Sequence, residues 1–288
     1  MSHGAVVTVR TGAGRREGRV VDLRDEDIDP ERLVAAVRRD ARTSREANDG
    51  GLAVDCPTPR AVHEHVGWVR PSMRVRVRTA LAAAARSRGG EAPQDDELAA
   101  VRSELAELTV PSSPDLRTPR ERVAGTDAAV ERVRERVAAL RGRVQAGREA
   151  GRDVTELEDE LAEATRELSE RETERAAARE ALERAERLAR ESRDARERRR
   201  RLEDRRANLE RRARAHLVER IRGEYETALA AVPDGPERVD DPLAVEGPAA
   251  ALAVGRVADL RAPVVLDCDR FEGPRAAASR LDVPVVRV

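Results

Sequence analysis

Asp267-Cys268-Asp269 directly follows Val264-Val265-Leu266, an apolar run that reads as a buried strand. Two carboxylates at the carboxyl end of a strand can hold a divalent cation, the chemistry of metal-dependent phosphoryl transfer. Asp55-Cys56 repeats the Asp-Cys step after a second short strand, Leu52-Ala53-Val54. Asp55 would join the site if the two strands were neighbours. Cys56, His63, His65 and Cys268 are softer ligand types, but His63-x-His65 on one helix turns its two rings apart, unlike i,i+4 spacing. Buried structural cysteines, and a core histidine at His65 on an apolar face, are the plainer reading. Gly12-Ala13-Gly14-Arg15 falls in a hairpin turn, without the strand-to-helix context of a phosphate loop. The sequence has no lysine, so all 55 basic residues are arginine. That excludes Schiff-base chemistry and the phosphate-loop lysine. The hydroxyl residues show no Ser/His/Asp spacing. No catalytic, cofactor-binding or metal-binding residue is therefore assigned, and no cofactor.

These residues depend on short elements at the two ends of the chain. Ala5 to Val9 and Gly18 to Val21 read as the arms of a hairpin, with Met1 to Arg10 a strand rather than a targeting segment. Asp29 caps a helix that Pro30 opens and that runs to about Ala41, with Leu33, Val34 and Val37 as its stripe. Thr58-Pro59 starts a second helix carrying Val62, His65, Val66 and Val69 on one face. Thr79 to Arg88 is an alanine-rich helix ending at Gly89-Gly90. After Pro233 come an amphipathic helix over Ala249 to Leu260, a strand over Pro263 to Leu266, a helix over Arg275 to Leu281 and a strand over Val283 to Val286. That is a β-α-β unit with parallel strands.

Between the two ends lies an architecture of another kind. Arg152 to Arg222 contains neither Gly nor Pro and is rich in Ala, Leu, Glu and Arg, all strong helix formers. As one helix it would be about 100 Å long and must pack along another helix. Val130, Val133, Val137, Leu140 and Val144 form a 3,4-spaced seam, Gly147 and Gly151 interrupt it, and Val154, Leu157, Leu161 and Leu168 resume it. The spacing predicts an antiparallel helical hairpin turning near 147–153, its first arm about 30 residues and its second more than twice that. The far half of the second arm then needs another partner. Its seam is thin, passing through Arg171, Arg175, Ala178, Leu182, Ala185 and Ala189 before Leu202, Leu209, Ala213, Leu217 and Ile221.

Charge divides this helix. Residues 156–174 carry nine acids and two arginines, whereas 196–214 carry ten arginines and four acids. A solvated face, a two-fold self-association laying acid on base, and nucleic-acid binding by the arginine block all fit that pattern. The first arm, 120–149, carries eight arginines and five acids and can also neutralise the acidic block within one chain. The formal net charge of −1 gives no overall pull toward nucleic acid or membrane. Two cysteines make no disulfide framework, and no apolar stretch is long enough to span a bilayer.

Several segments together are familiar: Cys56-Pro57-Thr58-Pro59, Val62-His63-Glu64-His65-Val66-Gly67, Arg78 to Gly89, and Leu281-Asp282-Val283-Pro284-Val285-Val286. With the coiled coil they resemble an uncharacterised coiled-coil family of halophilic archaea. The resemblance implies no activity, cofactor or site residue. It does imply a salt-rich cytoplasm, where a Debye length of about 3 Å weakens arginine–phosphate attraction. Asp267-x-Asp269 also resembles the acidic pair of the topoisomerase-primase domain, but the upstream Glu that such a domain needs is missing.

The expected fold is α+β and mostly α: a small α/β head formed by the N- and C-terminal segments, interrupted by a long antiparallel coiled-coil hairpin. The expected segments are 1–90, an N-terminal α/β part; 91–118, a short helix and linker; 119–232, the hairpin; and 245–288, a helix plus β-α-β. The expected function is that of a non-enzymatic, cytoplasmic scaffold that pairs with a protein partner or itself through the coiled coil and has no membrane role. The alternatives are a nucleic-acid-associated protein using 196–214 and a metal-dependent phosphoryl-transfer enzyme using Asp267 and Asp269.

Overall fold

The computed structural model describes residues 6–39, 51–233, 235 and 240–288. In chain order its elements are β1 (Val7–Thr11), β2 (Gly14–Gly18), β3 (Val20–Asp22), α1 (Pro30–Arg38), β4 (Ala53–Asp55), α2 (His63–Val66), β5 (Trp68–Val69), α3 (Val77–Ser87), α4 (Asp95–Glu107), α5 (Arg117–Glu149), α6 (Thr155–Ala230), α7 (Gly247–Val257), β6 (Val264–Leu266), α8 (Pro274–Leu281) and β7 (Val285–Arg287). A short 3-10 turn, Pro242–Ala244, precedes α7. The fold is mostly helical with two small sheets, and α6 alone has 76 residues. No helix among the described residues is long and apolar enough to cross a membrane.

The chain divides into two units: Met1–Ala100 with Ala207–Val288, and Val101–Arg206. The first holds both sheets. One is antiparallel, in the order β2-β1-β4; the other is parallel throughout, in the order β3-β7-β6-β5. The parallel sheet places the two C-terminal strands, β7 and β6, at its centre and flanks them with β3 and β5 from the N-terminal part: β7 pairs with β3 on one side and β6 on the other. Its side chains alternate as a two-sided sheet requires. Val264, Leu266 and Val285 pack with α3, α7 and the end of α6. Val21, Val265 and Val286 pack with α1, β1 and β4. Both faces are thus covered, which accounts for the nearly unbroken apolar strands.

The expected hairpin has a tighter turn, and its second arm is Gly14–Gly18 where Gly18 to Val21 was expected. Gly12 and Ala13 alone connect β1 to β2, with Thr11 opposite Gly14, and Val20 to Asp22 leave for the other sheet. Glycine at φ +142 and +153, Gly14 and Gly18, bounds β2 and frees the chain to change sheet. At α1, Asp29 accepts from the Glu31 N–H at 2.8 Å, and Pro30 opens the helix. Its predicted end near Ala41 lies outside the described residues.

The second predicted helix is corrected most. Only His63–Val66 are helical, and Trp68-Val69 form strand β5 against β6. The buried histidine is His63, whereas His65 is half-buried. Gly67 allows the sharp exit: a Cβ there would lie 2.2 Å from the His63 ring. The helix α7 is corrected as well. It is not amphipathic but buried nearly all round, with Arg256 its exposed residue in the last turn. At α3, Gly89 at φ +77 donates to the Arg86 carbonyl and Gly90 donates to Ala85, the bond pair of a left-handed helix stop.

In the second unit, α5 and α6 are joined through Ala150 to Val154. Gly151 at φ +65 donates to Arg148, and Arg152 donates to Gly147. Asp153 then accepts from the Thr155 N–H and hydroxyl at 3.0 and 2.7 Å, starting α6. Val133, Val137 and Leu140 cluster with Ala164, Leu157, Leu161 and Leu168.

Candidate functional site

Residues with chemical potential gather first at the carboxyl ends of the parallel strands. The Asp267 N–H donates to the Val69 carbonyl at 2.8 Å, which ties the end of β6 to β5. Asp269 is 95% exposed at its side chain, yet its Oδ1 accepts from Arg287 Nη2 at 2.5 Å, while the Arg287 side chain is only 7% exposed. Arg287 lies in register with Asp22 of β3. Hydrogen bonding from Arg24 holds the Asp22 carboxyl below its ordinary range, with Arg287 adding a smaller pull. One member of the predicted acidic pair, Asp269, is thus tied to Arg287, so a cation held by that carboxylate would have to displace the guanidinium. Asp55 does not join it: β4 pairs with β1 in the other sheet.

The thiols and imidazoles do not converge either. Cys56 and Cys268 are free and half-buried. Burial, with Asp55 nearby, pushes the Cys56 thiol up to about 11. Burial also raises Cys268. Neither is a ready thiolate nucleophile at neutral pH. His63 Nε2 lies 2.9 Å from the Pro263 carbonyl, which can only accept, so Nε2 carries the proton. Its Nδ1 is buried without a partner, and burial lowers the ring pKa. Among the described residues, no group of three or more His, Cys, Asp and Glu stands ready to hold a metal ion.

The charge blocks of the long helix meet partners within the chain. Arg148 pairs with Glu158, Arg143 with Glu160 at 3.7 Å, Arg136 with Glu167 at 3.4 Å and Arg134 with Glu172 at 2.6 Å. Asp127 pairs with Arg179 at 2.7 Å and Arg120 with Glu186 at 3.7 Å. Partner numbers fall along α5 as they rise along α6. Farther along, Ser192 Oγ donates to the Pro111 carbonyl at 2.8 Å, and Arg198 bonds Glu104 at 2.6 Å. The far half of the long arm, which the sequence left in need of another partner, therefore finds one within the chain, α4 and the segment after it. Arg199 and Arg201 pair with Glu203 and Glu197 on their own helix. Arg196 and Arg200 are exposed and have no partner among the described residues.

Two participants escaped the sequence reading. Arg287 lies one residue past the predicted strand end, and its signal was the continuing alternation of β7. Ser192 is fully buried amid charged residues, and its signal was being the small residue between Ala189 and Arg193 on a crowded helix face.

Residues 18–285 match the model of a family of unknown function, DUF7856. No curated protein and no solved structure matches the chain.

Proposed function

The chain belongs to DUF7856, a family that supplies no activity as a starting point, and we propose that it is a non-enzymatic interaction protein whose α5 and α6 form an antiparallel coiled-coil hairpin. The six ion pairs in opposing order carry this reading. The apolar seam of Val133, Val137, Leu140, Leu157, Leu161 and Leu168 supports it. Among the described residues, the exposed large apolar ones are Val6 and Leu188. That seam is occupied inside the chain, so the partner is a protein reading the charged outer faces. The same internal pairing answers much of the acidic block that made a second copy of the chain attractive. A cytoplasmic setting belongs to the proposal and is supported by the two free cysteines.

The test is affinity capture from a lysate of the source organism, with the full chain as bait. A partner kept by D267N/D269N and lost with L161D/L168D is expected. A partner kept by the seam variant, or lost with the Asp pair, ends the scaffold reading.

A second reading, nucleic-acid association, is favoured by one observation, the unpaired and exposed Arg196 and Arg200. It predicts duplex-DNA binding, read by fluorescence anisotropy, that weakens along log[KCl] and drops in R196Q/R200Q. Absence of binding at low salt would remove it.

A further inference from the structure

The first unit holds a cleft of about 930 Å³ between the end of α6, the ends of α7 and α8, and the loops entering β6 and β7. That volume lies in the range of small-molecule sites. Three carboxylates line it, and each is answered by an arginine. Arg88 pairs with Glu224 and Arg19 with Asp282, both at 2.5 Å. Arg261 approaches Asp259 at 3.6 Å, with Arg60 at 2.9 Å from the same oxygen. Two lining arginines are left over. Among the described residues, Arg256 has no partner and Arg280 is bonded only to the Ala231 carbonyl, at 3.1 Å. Among the described residues, the cleft thus carries two uncompensated guanidinium groups.

Its floor is of the opposite character. Leu252 and Leu260 are buried beneath it, and Phe271, the only phenylalanine of the chain, lies against it. The backbone adds an independent mark. Among the described residues, Arg261 (φ +59) and Asp282 (φ +53) are the non-glycine residues in the left-handed region, and both line this cleft. Asp282 occupies the helix stop of α8, a position that glycine ordinarily fills. Such conformations persist where the surroundings hold them in place, and they concentrate at binding sites.

We propose that this cleft binds a small organic dianion, a phosphate monoester on an aromatic or apolar body. Arg256 and Arg280 hold the phosphate, and Phe271 and Leu252 lie under the body. Two guanidinium forks match the charge and oxygen geometry of a phosphate monoester better than those of a monocarboxylate. The paired arginines are already spent on carboxylates, which leaves the remaining two as the selective element. This inference is independent of the helical arm and of its partner.

Calorimetric titration of the full chain with 1-naphthyl phosphate tests it, with inorganic phosphate and 1-naphthol as reference ligands. Saturable one-to-one binding, tighter than that of either reference, is expected. R256Q/R280Q should weaken it about tenfold or more, as expected for loss of charge-assisted bonds. If the double variant melts early through loss of the Arg280–Ala231 bond, R256Q alone decides, because the Arg256 side chain has no partner to lose among the described residues. Absence of saturable binding overturns the proposal. So does binding unchanged in the arginine variants, or inorganic phosphate bound as tightly as the naphthyl ester.

Discussion

His63 shows how a single buried side chain sets a pH limit. Burial, with a smaller contribution from Arg38, lowers its pKa, while the bond to Pro263 opposes that shift. The unfolded chain therefore takes up a proton near pH 6.5 that the folded chain resists. Stability from this group is complete above that value and declines as pH falls below it. Urea midpoints should drop from pH 8 to pH 5.5, and the drop should shrink in H63Q. A slope unchanged by that substitution would relieve His63 of the role. Its neighbour gives a steric counterpart. Gly67→Ala places a methyl 2.2 Å from the imidazole, an overpacking expected to cost about 2 kcal/mol in urea melts. The sequence announced a core histidine but assigned it to His65. A four-residue helix has too little periodicity to show which of two histidines turns inward.

Among the elements, α5 and α6 were the most legible, because a 3,4 seam repeated over several turns is a strong signal. All five predicted seam positions of α5 are buried: Val130, Val133, Val137, Leu140 and Val144. Leu140→Ala should destabilise the chain by about 2–3 kcal/mol, measured by thermal or urea unfolding. The ion pairs along the same helices act more on register than on stability, since exposed pairs contribute little each. The cycle R134E, E172R and R134E/E172R should show both single reversals destabilising and the double one partly restoring the midpoint. Strictly additive effects would mean that the two side chains do not meet. The short elements were less legible for a plain reason. Strand β5 has two residues and β6 and β7 three each, so no alternation can build up. The apolar pattern of α7 reads as one face because alanines report burial weakly. Only the surrounding α3, α8 and sheet show that every side is covered.

For the molecule as a whole, what no local pattern could reveal was which strands meet. The sequence suggested a shared head because a helical hairpin returns the chain to its starting point. The pairing of β3 with β7 and of β5 with β6 rests on contacts between residues near opposite ends of the chain, and a shift of one residue would send every valine to the wrong face. The candidate sites followed the same rule. The acidic pair was visible as a spacing, but its neutralising Arg287 and the separation of Asp55 onto another sheet were visible only in the assembled strands.

That order of pairing also sets a timetable. During synthesis β3 leaves the ribosome early, while β7, which lies between β3 and β6 in the sheet, is made only after the whole of α4, α5 and α6. The helices form from near neighbours and can fold as they emerge, whereas the parallel sheet must wait for its central strand. A ribosome-arrested chain ending at Arg256 should therefore give protease-resistant fragments from 101–206 and none containing β3. Until β7 arrives, Val20 to Asp22 offer an unfilled strand edge to whatever chaperone or neighbouring chain is at hand.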